Sequence, residues 1–386
     1  MVKPSSLYVH ERDVSFMDNE KPIVDFGAIR DALGKDFKPV QVIDGQANVV
    51  NQAIVSKYSN DQLVDFLKLM IWERTLHQRS NALTRQGRLG FYAPTEGQEA
   101  SEMGSNSAMK STDVLMPAYR DIPQLIQHGL PVYKAFLWSR GHVLGNEYPE
   151  DLHAMPPQII IGAQYIQAAG VALGIKKNGT EDKVAYSYTG DGGTSQGDFY
   201  EGMNFAGAFQ APAVFIVQNN GYAISVPRRK QTAAKTLAQK AVAAGIPSVQ
   251  VDGMDFLAVH EVTKAAREYA AAGNGPVMIE TLTYRFGPHT NAGDDPKRYR
   301  TKEEEQPWFD NDPLIRYRKY LTDQGVWSED LENEYVEQVK ADIKAAVKQA
   351  DEAPKQKMTE FLENVFEEQP QNIQQQITEY QAKESK

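Results

Sequence analysis

Asp191 lies in the glycine-rich stretch TGDGGTSQGDF, directly after the apolar run VAYSYT, and the next apolar run, APAVFIVQ, ends just before Asn219 and Asn220. Carboxylate, amide and backbone carbonyl oxygens are hard donors that suit octahedral Mg²⁺. Gly192 and Gly193 have no Cβ, so their N–H groups can approach a phosphate at the start of a helix, where the dipole favours an anion. These residues predict a site for Mg²⁺ and a diphosphate.

Two strands and the helix between them must bring these side chains together. The apolar runs at 184–189 and 211–218 are the predicted strands. The helix between them has apolar residues spaced to face a sheet, namely Phe199, Met203, Ala206 and Phe209. A right-handed crossover sets the two strands side by side or one place apart, so both end at the same edge. Ligands of open α/β sheets bind at that edge.

The rest of the chain predicts an α/β fold. Three further apolar runs are predicted strands: VLMPA (114–118), SVQVDG (248–253) and PVMIETLTY (276–284). Several of these runs are continuously apolar and alternate with helical patterns. We therefore expect a doubly wound, mostly parallel sheet with helices on both faces.

Composition divides the chain into three regions. Residues 1–57 carry several prolines and glycines and predict an extended N-terminal arm rather than a packed unit. Residues 58–301 form the predicted ligand-binding α/β domain, and residues 302–386 a charged helical region, without strands, packed on the same domain. Helices are expected to begin at Ser59, with Gln62 completing a capping box, at Asp312-Pro313 and at Ser328.

Whole-chain composition excludes several classes of protein. The 386 residues include no cysteine, which rules out disulfides, thiolate metal sites and a cysteine nucleophile. The formal charge of −10 disfavours nucleic-acid binding. No apolar run approaches the roughly 20 residues of a membrane span, and the first residues do not resemble a secretory signal. We expect a cytoplasmic protein with neither a membrane nor a nucleic-acid partner.

The glycine-rich stretch also has other interpretations. A plain strand-to-helix turn would use Asp191 as a helix cap. A dinucleotide fingerprint fits less well, because its third glycine would fall at Ser195. A Mg²⁺-dependent nucleotide-binding protein and a noncatalytic scaffold remain alternatives, although no GxxxxGK[ST] phosphate loop occurs in the sequence.

Longer blocks of the sequence resemble a known family. GDG, a helix and a strand ending in NN together resemble the thiamin-diphosphate motif, and QNNGYAIS is similar to the alpha subunit of the decarboxylating component of 2-oxo acid dehydrogenase complexes. Further blocks match in family order: TEGQEA (95–100), AYRD (118–121), IIIGAQ (159–164), VDGMD (251–255) and YRFGPHT (284–290). The resemblance covers most of residues 60–380 and implies the thiamin-diphosphate-binding fold, with thiamin diphosphate and Mg²⁺ as cofactors.

The resemblance implies a metal and diphosphate site. Asp191, the side chain of Asn220 and the backbone carbonyl of Tyr222 would hold Mg²⁺. The amides of Gly192 and Gly193 would bind the diphosphate.

Further residues would surround the cofactor. Tyr119 and Arg120 match a pair that reaches the diphosphate, and a permanently charged guanidinium suits a phosphate. Arg285 and His289 would lie on a loop over the cofactor, where His289 would contact the diphosphate and carry a proton near the reacting carbon. Relatives often have a histidine two residues after the Tyr-Arg pair, where this chain has Ile122, so His128 is a candidate substitute.

The isoleucine run at 159–161 has two interpretations. On apolarity alone, Ile159, Ile160 and Ile161 are predicted core residues. By resemblance, backbone groups of Ile159 and Ile161 would meet the aminopyrimidine, and the Ile161 side chain would hold the cofactor in its bent shape.

The resemblance also implies partners and a substrate. The glutamate that hydrogen-bonds the pyrimidine in this family has no matching block here, so a beta subunit should supply it in an alpha2-beta2 heterotetramer. That assembly would dock on a lipoyl-bearing dihydrolipoamide acyltransferase core. Within the family the likeness is greatest to the pyruvate-using enzymes of Gram-positive bacteria, with a branched-chain 2-oxo acid as the alternative substrate. In HTNAGDD, Thr290 is the only hydroxyl, so we do not expect the kinase control known in animal relatives.

Overall fold

A five-stranded parallel sheet forms the centre of the molecule. The computed structural model describes residues 37–385. The strands of the sheet are β1 (Val114–Met116), β2 (Ala185–Gly190), β3 (Ala213–Asn219), β6 (Ser248–Asp252) and β7 (Val277–Leu282), and their spatial order is β1-β2-β3-β7-β6. A separate antiparallel hairpin consists of β4 (Tyr222–Ala223) and β5 (Val226–Pro227). All five predicted strands and their parallel pairing are confirmed.

Helices surround the sheet and form the C-terminal region. They are α1 (Gln52–Val55), α2 (Asn60–Arg85), α3 (Glu99–Asn106), α4 (Ile122–Gln127), α5 (Val132–Ser139), α6 (Ala163–Lys177), α7 (Gly197–Phe209), α8 (Arg228–Gln231), α9 (Phe256–Tyr269), α10 (Lys302–Phe309), α11 (Pro313–Asp323), α12 (Glu329–Asp351), α13 (Met358–Glu363) and α14 (Gln371–Glu384). Short 3₁₀ turns span Val143–Asn146, Asp191–Ser195, Ala238–Ala244 and Pro296–Arg298, and a π turn spans Ala270–Asn274. Within residues 37–385, no helix is long and apolar enough to cross a bilayer.

The sheet is buried on both faces, as its apolar strands require. Along β3, Val214 and Ile216 belong to a core cluster that includes Phe256 of α9. Phe215 and Val217, which alternate with them, belong to the opposite cluster with residues of α6 and α7. The predicted helical layers on both faces are thus confirmed.

The helix between β2 and β3 follows the predicted pattern except at its last residue. Phe199, Met203 and Ala206 of α7 are completely buried against the sheet. The prediction for Phe209 is wrong, because this side chain is 48% exposed. Phe209 ends the helix, and its ring packs against the exposed ring of Phe205 at 4.6 Å rather than against the sheet.

Side-chain caps start the predicted helices. Ser59 Oγ accepts the backbone N–H of Gln62, and the Gln62 side chain accepts the N–H of Ser59 in return. Asp312 caps α11 through Leu314 N at 2.8 Å, and Ser328 caps α12. Each cap satisfies an N–H group that has no partner within the helix.

The described end of the predicted N-terminal arm packs on the α/β domain, while residues 1–36 lie outside the described part of the chain. Val40 forms a parallel bridge with Val251 of β6. Val42 and Ile43 are buried, and their N–H groups donate to Asp255 Oδ2 at 2.6 and 2.7 Å. From residue 40 the arm is therefore a packed segment. The division into arm, domain and helical region stays a prediction.

Candidate functional site

Asp191 follows β2 in a 3₁₀ turn and is almost completely buried. Its Oδ2 accepts a hydrogen bond from Gln231 Nε2 at 2.8 Å, whereas its Oδ1 has no partner among residues 37–385. Burial raises the pKa of this carboxyl to about 6. A buried carboxylate oxygen without a partner is costly in a folded chain, and a bound cation would satisfy it.

The turn after Asp191 accepts only residues without a side chain. A Cβ on Gly193 would lie 1.9 Å from Thr189 Oγ1, and a Cβ on Gly192 would lie 2.6 Å from Ala223 Cβ. The helix expected directly at these glycines begins only at Gly197, because Gln196 adopts an extended conformation (φ −83°, ψ 150°). The glycine amides therefore belong to the 3₁₀ turn, not to α7.

The two asparagines at the end of β3 have different surroundings. Asn219 Nδ2 donates to Glu280 Oε1 of the neighbouring strand at 2.7 Å, so Asn219 braces the sheet. Asn220 Nδ2 donates to Gln98 Oε1 at 2.8 Å, and Asn220 Oδ1 accepts the N–H of Tyr222 at 3.2 Å. Only Asn220 lines the pocket that contains Asp191.

A cavity of about 210 Å³ at this edge of the sheet collects most of the predicted site residues. Those that line it are Tyr119, Arg120, Ile161, Asp191, Gly192, Gly193, Asn220, Tyr222 and His289. They come from the ends of β2 and β3, the 3₁₀ turn, the β4–β5 hairpin and three loops. The topology thus brings Tyr119 and His289, which are 170 positions apart in the sequence, to the same cavity.

Arg120 fixes the orientation and charge state of His289. Arg120 Nη1 donates to the Pro94 carbonyl, and Nη2 lies 3.2 Å from both the carbonyl oxygen and Nδ1 of His289. A guanidinium can only donate, so Nδ1 accepts and the neutral ring carries its proton on Nε2. Burial, Arg120 and Arg285 lower the pKa of His289 to about 4. The ring is therefore neutral at pH 7, and its Nε2–H can donate.

Arg285 supports the loop rather than lining the cavity. Its buried guanidinium donates to the carbonyls of Gly287 and Ile224, both at 3.0 Å. Ile224 lines the cavity with φ at +56°, a strained value for a β-branched residue. Burial, Arg120 and Arg300 lower the pKa of Arg285 to about 10. Arg285 thus ties the 284–290 loop to the β4–β5 hairpin.

Three of the predicted site residues do not line the cavity, namely Arg285, His128 and Ile159. His128 is absent from the described residues that line the cavity, and its Nε2 lies 3.0 Å from the carbonyl oxygen of Asp113, just before β1. The helix α4 carries it towards the amino ends of the strands, so the structure corrects its placement in the site. Ile159 also lies outside the lining, whereas Ile161 contributes to it.

The isoleucine run is not a core segment. Ile159 and Ile160 are 63% and 69% exposed, so the core interpretation of these two residues is wrong. They lie in the loop before α6, outside the apolar clusters on either face of the sheet. The next residue, Ile161, lines the cavity, so this exposed apolar surface directly precedes a lining residue.

Three polar residues outside the cavity lining support the site and were not predicted to do so. Gln98 holds Asn220, and it lies in TEGQEA, a block that matched the family without an assigned role. Gln231 reaches Asp191 from 40 residues away, and no motif marks it. Lys240 Nζ donates to Thr194 O at 2.8 Å beneath the 3₁₀ turn, and burial lowers its pKa to about 8. Of these three residues, only Gln98 lies in a sequence block that marked it for attention.

The donors present fit Mg²⁺ bound together with a phosphate. Asp191 supplies an anionic oxygen, Asn220 an amide oxygen and Tyr222 a backbone carbonyl. Pro227 stands opposite Tyr222 in the hairpin and has no N–H to donate to that carbonyl. In the described chain, no cluster of three or more His, Cys, Asp or Glu could hold a metal alone, so further ligands would come from the phosphate and water.

A wider groove of about 900 Å³ lies at the opposite end of the sheet. Three of its charged residues are in ion pairs: Arg267 pairs with Asp182 and with the neighbouring Asp113, and Lys110 pairs with Asp182. His260 Nδ1 lies 2.7 Å from Ser107 Oγ, and burial lowers its pKa to about 4. These mutually satisfied groups make the groove a weaker candidate for catalysis than the cavity around Asp191.

Comparison with known proteins places the chain in a family. Residues 67–359 match the family described as the dehydrogenase E1 component. The chain belongs to this family. It is also 59% identical over 350 residues to proteins named pyruvate dehydrogenase E1 component subunit alpha from Staphylococcus aureus and Staphylococcus epidermidis, with 91% of this chain and 94% of each relative covered. The family predicted from the sequence blocks is confirmed.

Proposed function

We propose that this chain is the alpha subunit of a pyruvate dehydrogenase, which decarboxylates pyruvate oxidatively with thiamin diphosphate and transfers the acetyl group to lipoamide. The observation that carries the proposal is that Oδ1 of buried Asp191 has no partner among residues 37–385 and shares one cavity with Asn220, Arg120 and His289. The choice of pyruvate as substrate rests on membership of the E1 family and on the similarity to relatives named pyruvate dehydrogenase.

The cavity supplies the groups that would hold the cofactor. Asp191 Oδ1, Asn220 Oδ1 and the carbonyl of Tyr222 would bind Mg²⁺. The amides of Gly192 and Gly193 and the guanidinium of Arg120 would bind the diphosphate. Bound thiamin supplies a carbanion that adds to a 2-oxo acid and stores the electrons released with CO₂.

His289 is the proton-carrying group of this half of the site. Its lowered pKa keeps the ring neutral at pH 7, and Arg120 occupies Nδ1, so Nε2–H is left as the donor towards the cavity. The ring of Tyr119 contacts the His289 ring edge-on at 5.8 Å and restricts its rotation. Arg285 holds the loop that carries His289 against the hairpin.

The site is half of a shared one, completed by a beta subunit in an alpha2-beta2 heterotetramer. A cavity of about 210 Å³ is below the roughly 300–1,000 Å³ of a complete small-molecule site. Ile159 and Ile160 expose apolar surface next to the lining residue Ile161. We also propose that the heterotetramer docks on a lipoyl-bearing dihydrolipoamide acyltransferase core and that the protein is cytoplasmic.

Reconstitution with a beta subunit tests the proposal. We expect the complex to decarboxylate pyruvate faster than 2-oxoisovalerate and the isolated chain to decarboxylate neither. Thiamin diphosphate with Mg²⁺ should raise the melting temperature of the complex, whereas ATP with Mg²⁺ should not. The Asp191→Asn variant should fold and assemble but lose both the thermal shift and turnover. Turnover by the isolated chain, or a thermal shift retained in Asp191→Asn, would contradict the proposal.

A further inference from the structure

The side chain of Asn220 is held by a buried relay that leads away from the cavity. Asn220 Nδ2 donates to Gln98 Oε1 at 2.8 Å, and Gln98 Nε2 donates to Glu102 Oε1 at 2.7 Å. Gln98 and Glu102 are completely buried, and Asn220 is 6% exposed. Water therefore does not compete for these bonds.

The relay acts together with the N–H of Tyr222, which donates to Asn220 Oδ1 at 3.2 Å, to set which end of the Asn220 amide faces the cavity. An amide can turn by 180° and exchange its oxygen for its nitrogen with little change in shape. Glu102 Oε1 accepts, so Gln98 must point its nitrogen at Glu102 and its oxygen at Asn220. Asn220 must then point its nitrogen at Gln98, which directs its oxygen the other way. Oxygen is the only atom of this amide that can bind a hard cation.

Helix α3 provides a rigid base for the relay. Gln98 precedes its first residue and Glu102 lies one turn further along, so the two side chains share one face of the helix. Ser101 and Ser105 of the same helix bond to Thr281 and Tyr188 in the sheet. The relay thus ties the end of β3 to a helix that is itself anchored on β2 and β7.

A second buried carboxyl, that of Glu73, lies beside Glu102 and bears on the state of its other oxygen, Oε2. Glu73 of α2 is completely buried beside it, and in the described chain neither Glu73 oxygen nor Glu102 Oε2 has a hydrogen-bond partner. Burial raises the pKa of Glu73 to about 8 and the pKa of Glu102 in the same direction. The raised pKa values favour a proton on this pair of carboxyls, and a proton shared between Glu73 and Glu102 Oε2 would leave Glu102 Oε1 as the acceptor for Gln98.

We propose that Gln98 and Glu102 are positioning residues that keep the amide oxygen of Asn220 directed at a divalent cation. The proposal rests on the Mg²⁺ site proposed above. The proposal gives a role to Gln98 of the TEGQEA block. Gln98 does not line the cavity and would act through its hydrogen bond to Asn220.

Metal affinity is the property that this role should control. Mn²⁺ serves as the probe, and its binding to the alpha-beta complex with thiamin diphosphate is measured by electron paramagnetic resonance. Gln98→Met keeps the volume of the side chain and removes both bonds, and Glu102→Met frees Gln98 to turn. Each should weaken Mn²⁺ binding about 10- to 100-fold, the range for residues that orient metal ligands.

A double substitution separates positioning from simple packing. In Gln98→Glu/Glu102→Gln the carboxylate at position 98 accepts from both Asn220 Nδ2 and the new amide at position 102, so the direction of the Asn220 amide is kept. This variant should recover most of the Mn²⁺ affinity that Gln98→Met loses. Ser101→Ala is the matched control, because it removes the buried hydrogen bond to Thr281 from the same helix and leaves the bonds among Asn220, Gln98 and Glu102 in place.

The outcomes distinguish the inference from the proposed function. If the unaltered complex with thiamin diphosphate does not bind Mn²⁺, the metal site itself is wrong. If the unaltered complex binds Mn²⁺ and the folded Gln98→Met or Glu102→Met complex binds it equally well, the positioning role is wrong. If neither single variant assembles, the double variant decides: affinity near that of the unaltered complex supports the role, and affinity lost in an assembled complex overturns it.

Discussion

Asp191 and Glu280 are both buried carboxylates on neighbouring parts of the sheet, yet their surroundings differ. Glu280 accepts hydrogen bonds from Asn219 and Gln250 side chains and from two backbone N–H groups, at 2.7 to 3.1 Å. Asp191 accepts one side-chain bond and has a free oxygen within the described chain. A satisfied carboxylate braces a fold, whereas a half-satisfied one that lines a cavity marks a place for a ligand. At the residue scale, an unpartnered oxygen together with a place in the cavity lining distinguishes Asp191 from Glu280.

Arg120 is expected to act through several directed bonds rather than through charge alone. Arg120→Lys keeps the charge but cannot donate to Pro94 and His289 together. Thiamin diphosphate binding to the alpha-beta complex should weaken about 10-fold or more, since a charged hydrogen bond contributes about 1.5–3 kcal/mol. Titration by fluorescence quenching measures this. Arg140→Lys is the control, because Arg140 bonds to Asp351 away from the cavity, and an equal loss there would contradict the prediction.

Glu73 should make stability depend on pH. Its pKa is raised from 4.5 to about 8 in the folded chain, mainly by burial. The folded state therefore holds the proton more tightly than the unfolded state, and stability falls as pH rises from about 4.5 to about 8. Glu73→Gln removes the part of this dependence that comes from Glu73, so the melting temperature of the variant relative to the unaltered chain should rise from pH 5 to pH 8. A difference that stays constant over that range would show that Glu73 does not hold the proton.

At the element scale, the unit β2, turn, α7 and β3 was predictable because local signals agree with each other. Apolar runs marked the strands, and caps such as Ser59 and Asp312 marked helix starts. The strand order was not predictable, since a crossover can lead to either side, and β7 rather than β6 pairs with β3. The exposed Ile159 was misjudged on apolarity alone, because composition does not reveal which surface a partner would cover.

The 3₁₀ turn should tolerate no side chain at Gly193. A Cβ there would lie 1.9 Å from Thr189 Oγ1 and 3.2 Å from Ile161 Cγ2, so the turn must move. Gly193→Ala should lower the free energy of unfolding by about 1–3 kcal/mol and weaken cofactor binding. Denaturant unfolding and thiamin diphosphate titration measure the two effects.

Two further variants check the cause of that loss. Thr189→Ala combined with Gly193→Ala removes the nearest atom and should recover part of the stability. Gly174→Ala, in the interior of α6 with no described atom within 4 Å of its Cβ, should instead stabilise the chain by about 0.5–1 kcal/mol. Equal losses at positions 174 and 193 would show that the contact with Thr189 is not responsible.

At the scale of the whole molecule, we propose that the described chain holds one side of a shared site. The family match spans residues 67–359, from α2 to α13, and so includes the complete sheet. The lining residue Ile161 directly follows the exposed Ile159 and Ile160 in the chain. The need for a beta subunit was inferred from the family's glutamate block, which has no match in this sequence.

A negative charge on the exposed surface of Ile159 and Ile160 should disrupt assembly with the beta subunit without unfolding the chain. Ile160 is 69% exposed, so Ile160→Glu should change the free energy of unfolding of the chain by no more than about 0.5 kcal/mol. If a beta subunit covers this surface, the same carboxylate is buried without a partner, and the alpha-beta complex should dissociate at concentrations where the unaltered complex is intact. Analytical ultracentrifugation measures this. Ile315→Glu, on a residue of α11 that is 54% exposed, is the control and should leave assembly unchanged. Normal assembly of Ile160→Glu would place the partner elsewhere, and an equal defect in both variants would trace the effect to charge rather than to this surface.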